Sequence, residues 1–175
     1  MKSQAHRVAS DHGLLAVGGV PYNPAQLKEA SVTRGYDPGS LTELPASKDE
    51  VMAAEAAVHR PGDVVLIGSR ATESAFKSAA KAQFDIVHLA VHGYASTTER
   101  DRSALVLLSD PGAGEDGVLQ ASEIVQLHLN ANLAVLSACD TAVLWRSPGM
   151  TSFCSVRVVQ AKNALCTAKD AAMLS

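Results

Sequence analysis

Five short apolar runs punctuate the chain, at Leu14 to Val17, Val64 to Gly68, Ile86 to Val91, Ala104 to Leu108 and Leu133 to Ser137, each bounded by turn-forming residues. Their length fits strands. Most lack polar alternation, the pattern of strands covered on both faces. Helical spacing separates them. Ser47, with Glu50 three residues on, predicts a capping box ahead of Val51, Met52 and Ala54, in a helix that runs to His59 before Pro61-Gly62 stops it. A second helix is expected to open at Thr72, with Phe76, Ala79 and Ala80 on the side facing the sheet and Glu73, Lys77 and Lys81 in an i, i+4 row on another. A third, over Ala121 to Leu127, follows a Gly-rich turn from Pro111 to Gly117 and sets Glu123 near its positive end.

Strands alternating with helices in this order predict right-handed crossovers and an α/β fold with a mainly parallel sheet. The Ala104 to Leu108 run is expected to form a small hairpin with Val118 and Leu119, and the polar stretch Ala95 to Ser103 shows no periodic pattern.

Composition narrows the class. A chain of 175 residues, 47 % hydrophobic, is enough for one domain with a sizeable core, and only 4 % aromatic content makes that core aliphatic. The net charge of −3, with no block of like charges, argues against nucleic acid as a direct partner. Lys2 and Arg7 precede an apolar run only from Leu14 to Val20, broken by glycines and preceded by Asp11. That run is too short to span a bilayer and poorly shaped for a secretion signal, so the expected location is cytoplasmic, with no membrane partner. Cys139, Cys154 and Cys166 lack the spacing of a disulfide framework or zinc knuckle and read as thiols in a reducing compartment. Gly18-Gly19 and Gly112-x-Gly114 complete no phosphate-binding motif, which leaves a nucleotide-binding domain as the weakest reading and predicts no cofactor.

In an open parallel sheet, functional groups gather beyond the carboxyl ends of the strands. His92, followed by Gly93, closes the Ile86 to Val91 run, and Cys139, followed by Asp140 and Thr141, closes the Leu133 to Ser137 run. An imidazole beside a thiol can take its proton, making the thiolate that attacks a carbonyl, and later return the proton to the leaving amine. The N–H groups of Gly93 and Cys139 are candidates for holding the oxyanion. A strand-terminal Cys is commonly only a small buried hydrophobe, and a lone His commonly fills a polar gap. The joint context favours catalysis: the separation is 47 positions (139 − 92), close to the roughly 50 of caspases, whose His also precedes the Cys.

Four stretches, Phe84 to Gly93, Ser103 to Leu107, Gly117 to Ile124 and Leu133 to Ala142, resemble the CHAT domain family, caspase-like proteins found with tetratricopeptide repeats. Leu14 to Pro24, Leu41 to Glu50 and Leu66 to Ala75 are similar to earlier segments of the same family. The resemblance implies a caspase-like three-layer fold and a cysteine peptidase using His92 and Cys139 without an obligatory third member. It also implies a protein or peptide substrate, and activation by a partner protein or by a tetratricopeptide-repeat region.

His88, four positions before His92, would share its face on a regular strand. It is either a supporting residue or a hydrogen-bonded core histidine, and no third ligand at a useful spacing makes the pair a metal site. Asp140 is read as a turn cap, with the substrate pocket as its other role. The charges Glu99, Arg100, Asp101 and Arg102 read as a solvated loop.

After Ala142 the family pattern of a Gly-rich turn, helix and further strand gives way to Val143-Leu144-Trp145-Arg146-Ser147-Pro148-Gly149. The expected organisation is therefore an extension over 1–13, a caspase-like domain over 14–142 that is incomplete at its C-terminus, and a divergent tail over 143–175 consistent with a shifted reading frame. The strand leading to Cys139 would then lack an outer partner unless the tail, around Ser155 to Val159, supplies one. The rival to a peptidase is a non-catalytic regulatory or interaction module that keeps the same sheet.

Overall fold

The computed structural model describes residues 12–22, 41–94 and 103–137, together with the backbone of 157–160. Five of its strands are β1 (Leu14–Gly18), β2 (Val64–Ile67), β3 (Ile86–Leu89), β7 (Leu133–Leu136) and β8 (Arg157–Gln160). They form one parallel sheet in the order β2-β1-β3-β7-β8. The other three, β4 (His92–Tyr94), β5 (Ala104–Val106) and β6 (Val118–Gln120), form a separate antiparallel sheet in chain order. The expected α/β fold with a mainly parallel sheet is thus present, and β5 pairs with β6 through Leu105 and Leu119 as the hairpin reading required. The outer side of β7 is paired by β8, with Val135 opposite Val159.

Alternation along the strands divides the core between two faces. Leu14 and Ala16 face helix α1 (Pro45–Val58) and pack with Val51, Ala54 and Val58. Leu15 and Val17 join Phe76, Val87, Leu89, Ile124 and Leu136 on the opposite face, under α2 (Glu73–Ala80) and α3 (Ala121–Gln126). Full burial of Phe76 contributes about 1.5–3 kcal/mol relative to exposure, which makes it the main apolar anchor of α2.

Two helix starts follow their sequence signals. Thr72 caps α2 by accepting the Ala75 N–H at 3.1 Å, and the i, i+4 pair Glu73–Lys77 forms. At α3, Glu123 closes a capping box with Gln120. The first helix is a correction. It begins at Pro45, two residues before the expected cap, and no side chain caps it. Ser47 is already inside the helix, where its hydroxyl donates to the Leu44 carbonyl at 2.7 Å and accepts the Gly19 N–H at 2.9 Å. Pro45 needs no N–H partner at a helix start, so it sets the boundary and releases Ser47 and Glu50 for tertiary contacts. Gly18 permits this close approach, since a Cβ there would lie 2.5 Å from the Ser47 carbonyl oxygen.

Candidate functional site

The chain departs from the main sheet after β3. Leu89 is the last β3 residue in register with β7, and the Ala90 N–H crosses to the Val17 carbonyl at 2.8 Å. Three residues after Leu89, His92 opens β4 opposite Val106. This corrects the expectation that His88 and His92 share a face of one strand, because the turn at Ala90-Val91 puts them in different sheets.

His92 is held at three points. Its N–H donates to the Tyr22 hydroxyl at 2.8 Å, and that hydroxyl donates to the Val106 carbonyl at 3.0 Å. The Tyr22 ring packs against the imidazole at a centroid separation of 4.7 Å and a 57° tilt. At the far side of the ring, Nε2 lies 2.7 Å from the Thr42 carbonyl oxygen. A carbonyl oxygen only accepts, so this contact assigns the proton to Nε2 and leaves Nδ1 as the basic nitrogen of the neutral ring. Tyr22 is only 8 % exposed, and burial pushes its hydroxyl pKa well up, outweighing the opposing effect of the His92 amide. The hydroxyl therefore remains a donor across the ordinary pH range.

Gly93 follows in β4 opposite Leu105. The Leu107 N–H donates to Gly117 at 2.8 Å, so strand alternation sends the polar groups of Leu107 and Leu105 toward β6 and those of Val106 and Ala104 toward β4. Gly93 and Leu105 are then a non-hydrogen-bonded pair. The Gly93 N–H points away from β5, toward the outer edge of the end strand β4.

His88 lies in β3, 7 % exposed, and its Nε2 is 2.9 Å from Glu50 Oε1 on α1. The same oxygen accepts the Ser137 hydroxyl. Because Glu50 stands between the two, His88 does not take the Ser137 proton, and the trio is not a serine-nucleophile relay. Ser137 directly follows β7, with its N–H bonded to the Leu89 carbonyl at 2.9 Å. Cys139 and Asp140 lie outside the described residues. Tyr22, Thr42 and Glu50 are the contributions that sequence reasoning missed. Thr42 acts through its backbone, and Glu50 carried a local signal that pointed to a cap.

Two other features lie away from His92. Glu73, Glu115 and Glu123 converge, but Lys77 Nζ occupies their centre, at 2.8, 2.6 and 3.0 Å respectively. The Gly117 N–H donates to the second oxygen of Glu73 at 2.8 Å. This cluster ties α2 to the turn before β6 and to α3. An apolar hollow over β3 and β7 is lined by Phe76, Leu89, Ile124 and Leu136 among others, without a polar side chain. Among the described residues no helix is long and apolar enough to cross a membrane.

A parallel sheet covered by helices on both faces is an α/β architecture consistent with a caspase-like, peptidase-related fold. Residues 2–158 match the CHAT domain family model, and the chain belongs to that family. No curated protein and no solved structure matches it.

Proposed function

We propose that this chain is a cysteine endopeptidase domain in which His92 is the base and Cys139 the nucleophile, acting on a protein or peptide substrate. The observation that carries this reading is the bond from His92 Nε2 to the Thr42 carbonyl, which presents a basic Nδ1. A backbone carbonyl here orients the ring as a carboxylate would, so no third side chain is required. Cys139 follows Ser137 by two residues, and β7 is the direct neighbour of the β3 strand that leads to His92.

The thiol gives its proton to His92 Nδ1, and the sulfur attacks the scissile carbonyl carbon as the carbonyl π-electrons move to oxygen. The outward Gly93 N–H is the donor for that oxyanion, with the Cys139 N–H as the second. Collapse expels the amine, which takes the proton from His92, and leaves a thioester. Water, deprotonated by the same imidazole, attacks the thioester and releases the acid and the thiol.

Labelling by an electrophilic peptide probe tests the assignment. Cys139→Ala is expected to abolish labelling, and His92→Ala to slow it by about 10²–10⁴-fold. Labelling retained in Cys139→Ala overturns the assignment. A folded chain that resists labelling at every thiol supports the interaction-module reading instead.

A further inference from the structure

We propose that Glu50 is a positioning residue for the dyad, its carboxylate clamping the tips of β3 and β7 so that the chain segments carrying His92 and Cys139 leave the sheet at a set separation. The inference rests on the proposed peptidase reading and names a component that reading does not contain.

One oxygen, Glu50 Oε1, receives both contacts: His88 Nε2 at 2.9 Å and the Ser137 hydroxyl. An ionised carboxylate oxygen has lone pairs for two donors, so both groups bond to it as donors. His88 stands four positions before His92, and Ser137 two before Cys139. The clamp is therefore placed shortly before each proposed reactive residue along the chain. Backbone bonds hold β3 to β7 as far as the Ser137 N–H on the Leu89 carbonyl. Among the described residues the β3–β7 ladder ends there, and the side-chain tie is placed at that end.

Its anchorage suits the role. Glu50 is on α1, whose seating against β1 is fixed by Val51 in the core and by the Ser47 hydroxyl on the Gly19 N–H. The carboxylate is thus delivered from a packed helix. The same helix begins at Pro45, shortly after Thr42 in the chain, so a short connection joins the carbonyl that orients His92 Nε2 to the helix that ties the strand tips.

The test is the pH dependence of Cys139 alkylation by iodoacetamide in the full chain, followed by peptide mass mapping, with thermal unfolding measured in parallel. A thiol paired with an imidazole reacts at a pH well below the value of about 8.5 at which a free thiol ionises. Ser137→Ala and Glu50→Leu are expected to move the half-maximal pH of labelling upward by about one unit toward the free-thiol value. Glu50→Gln, which keeps an acceptor oxygen, is expected to restore part of that shift. A purely structural role lowers the unfolding temperature and leaves the profile where it is. Ser137→Ala removes only a hydroxyl, so it reports even if Glu50→Leu does not fold. A profile that depends on His92 but is unmoved in Ser137→Ala overturns the clamp alone. Identical profiles in wild type and His92→Ala overturn the dyad and the clamp together.

Discussion

The Tyr22 hydroxyl accepts the His92 N–H at 2.8 Å and donates to the Val106 carbonyl at 3.0 Å, so a side chain fills the rung that opens the β4–β5 ladder. A direct backbone bond would draw His92 onto β5. The interposed hydroxyl instead sets the strand start, and its ring backs the imidazole.

Tyr22→Phe leaves the His92 N–H and the Val106 carbonyl without this partner. The expected loss is about 1–3 kcal/mol of stability, read by urea unfolding, with slower labelling of Cys139 by the peptide probe. Wild-type values for both would show that the hydroxyl has no such part.

Lys77 neutralises three converging carboxylates, and Lys77→Met removes the cation at their centre. Breaking such a part-buried cluster is expected to destabilise by about 3 kcal/mol. Burial opposes charging Lys77, but its hydrogen bonds to Glu115, Glu73 and Glu123 outweigh it and raise its pKa above the ordinary 10.5. A raised base stabilises fully below its unfolded value and loses that contribution only as pH rises through the folded one. Calorimetry should therefore find the penalty of Lys77→Met nearly constant from neutral to mildly alkaline pH. A penalty that vanishes at neutrality would count against the cluster.

Glu73 is shifted in the same direction, with its window on the acid side. Burial, reinforced by Glu123, raises its pKa from the ordinary 4.5 despite the opposing Lys77 and Gly117 contacts. The folded chain then holds this proton more tightly than the unfolded chain. Its contribution is most favourable at pH below 4.5 and declines as pH rises through the raised folded value. Compared with Glu73→Gln in urea titrations, wild type should lose ground over that window. A difference that is flat, or that grows with pH, refutes the shift.

Gly117 has φ +87°, and a Cβ there would meet the Ser109 nitrogen at 2.7 Å and the Leu107 oxygen at 2.9 Å. Gly114 has φ +78° with open space around it. Gly114→Ala should carry only the backbone penalty of about 1–2 kcal/mol. Gly117→Ala should exceed it, because backbone atoms of β5's continuation must also shift, and equal unfolding midpoints for the two variants would contradict this.

The apolar runs were legible because β1, β2, β3 and β7 are short Val-, Leu- and Ile-rich segments, and their length and bounding turn residues distinguish them from the helices between. Phe76 was recognisable as an inward residue by helical spacing, and the hairpin of β5 with β6 by the proximity of two runs around a Gly-rich turn. The capping box at Ser47 misled because Ser and Glu three apart serve a local cap or a distant partner equally well in sequence. Only the neighbouring Gly19, His88 and Ser137 decide between them.

What the sequence determined by itself was therefore whatever depends on near neighbours: the strands, the starts of α2 and α3, the parallel α/β class, and the choice of His92, Gly93 and Cys139 as candidates. Tertiary structure alone decided that His92 leaves the sheet of His88, that Tyr22 and the Thr42 carbonyl hold it from 70 and 50 positions away, and that one Glu50 oxygen serves two strands. Such contacts depend on which groups a folded chain brings within about 3 Å, and a backbone carbonyl or a lone tyrosine carries no sequence pattern that announces that meeting.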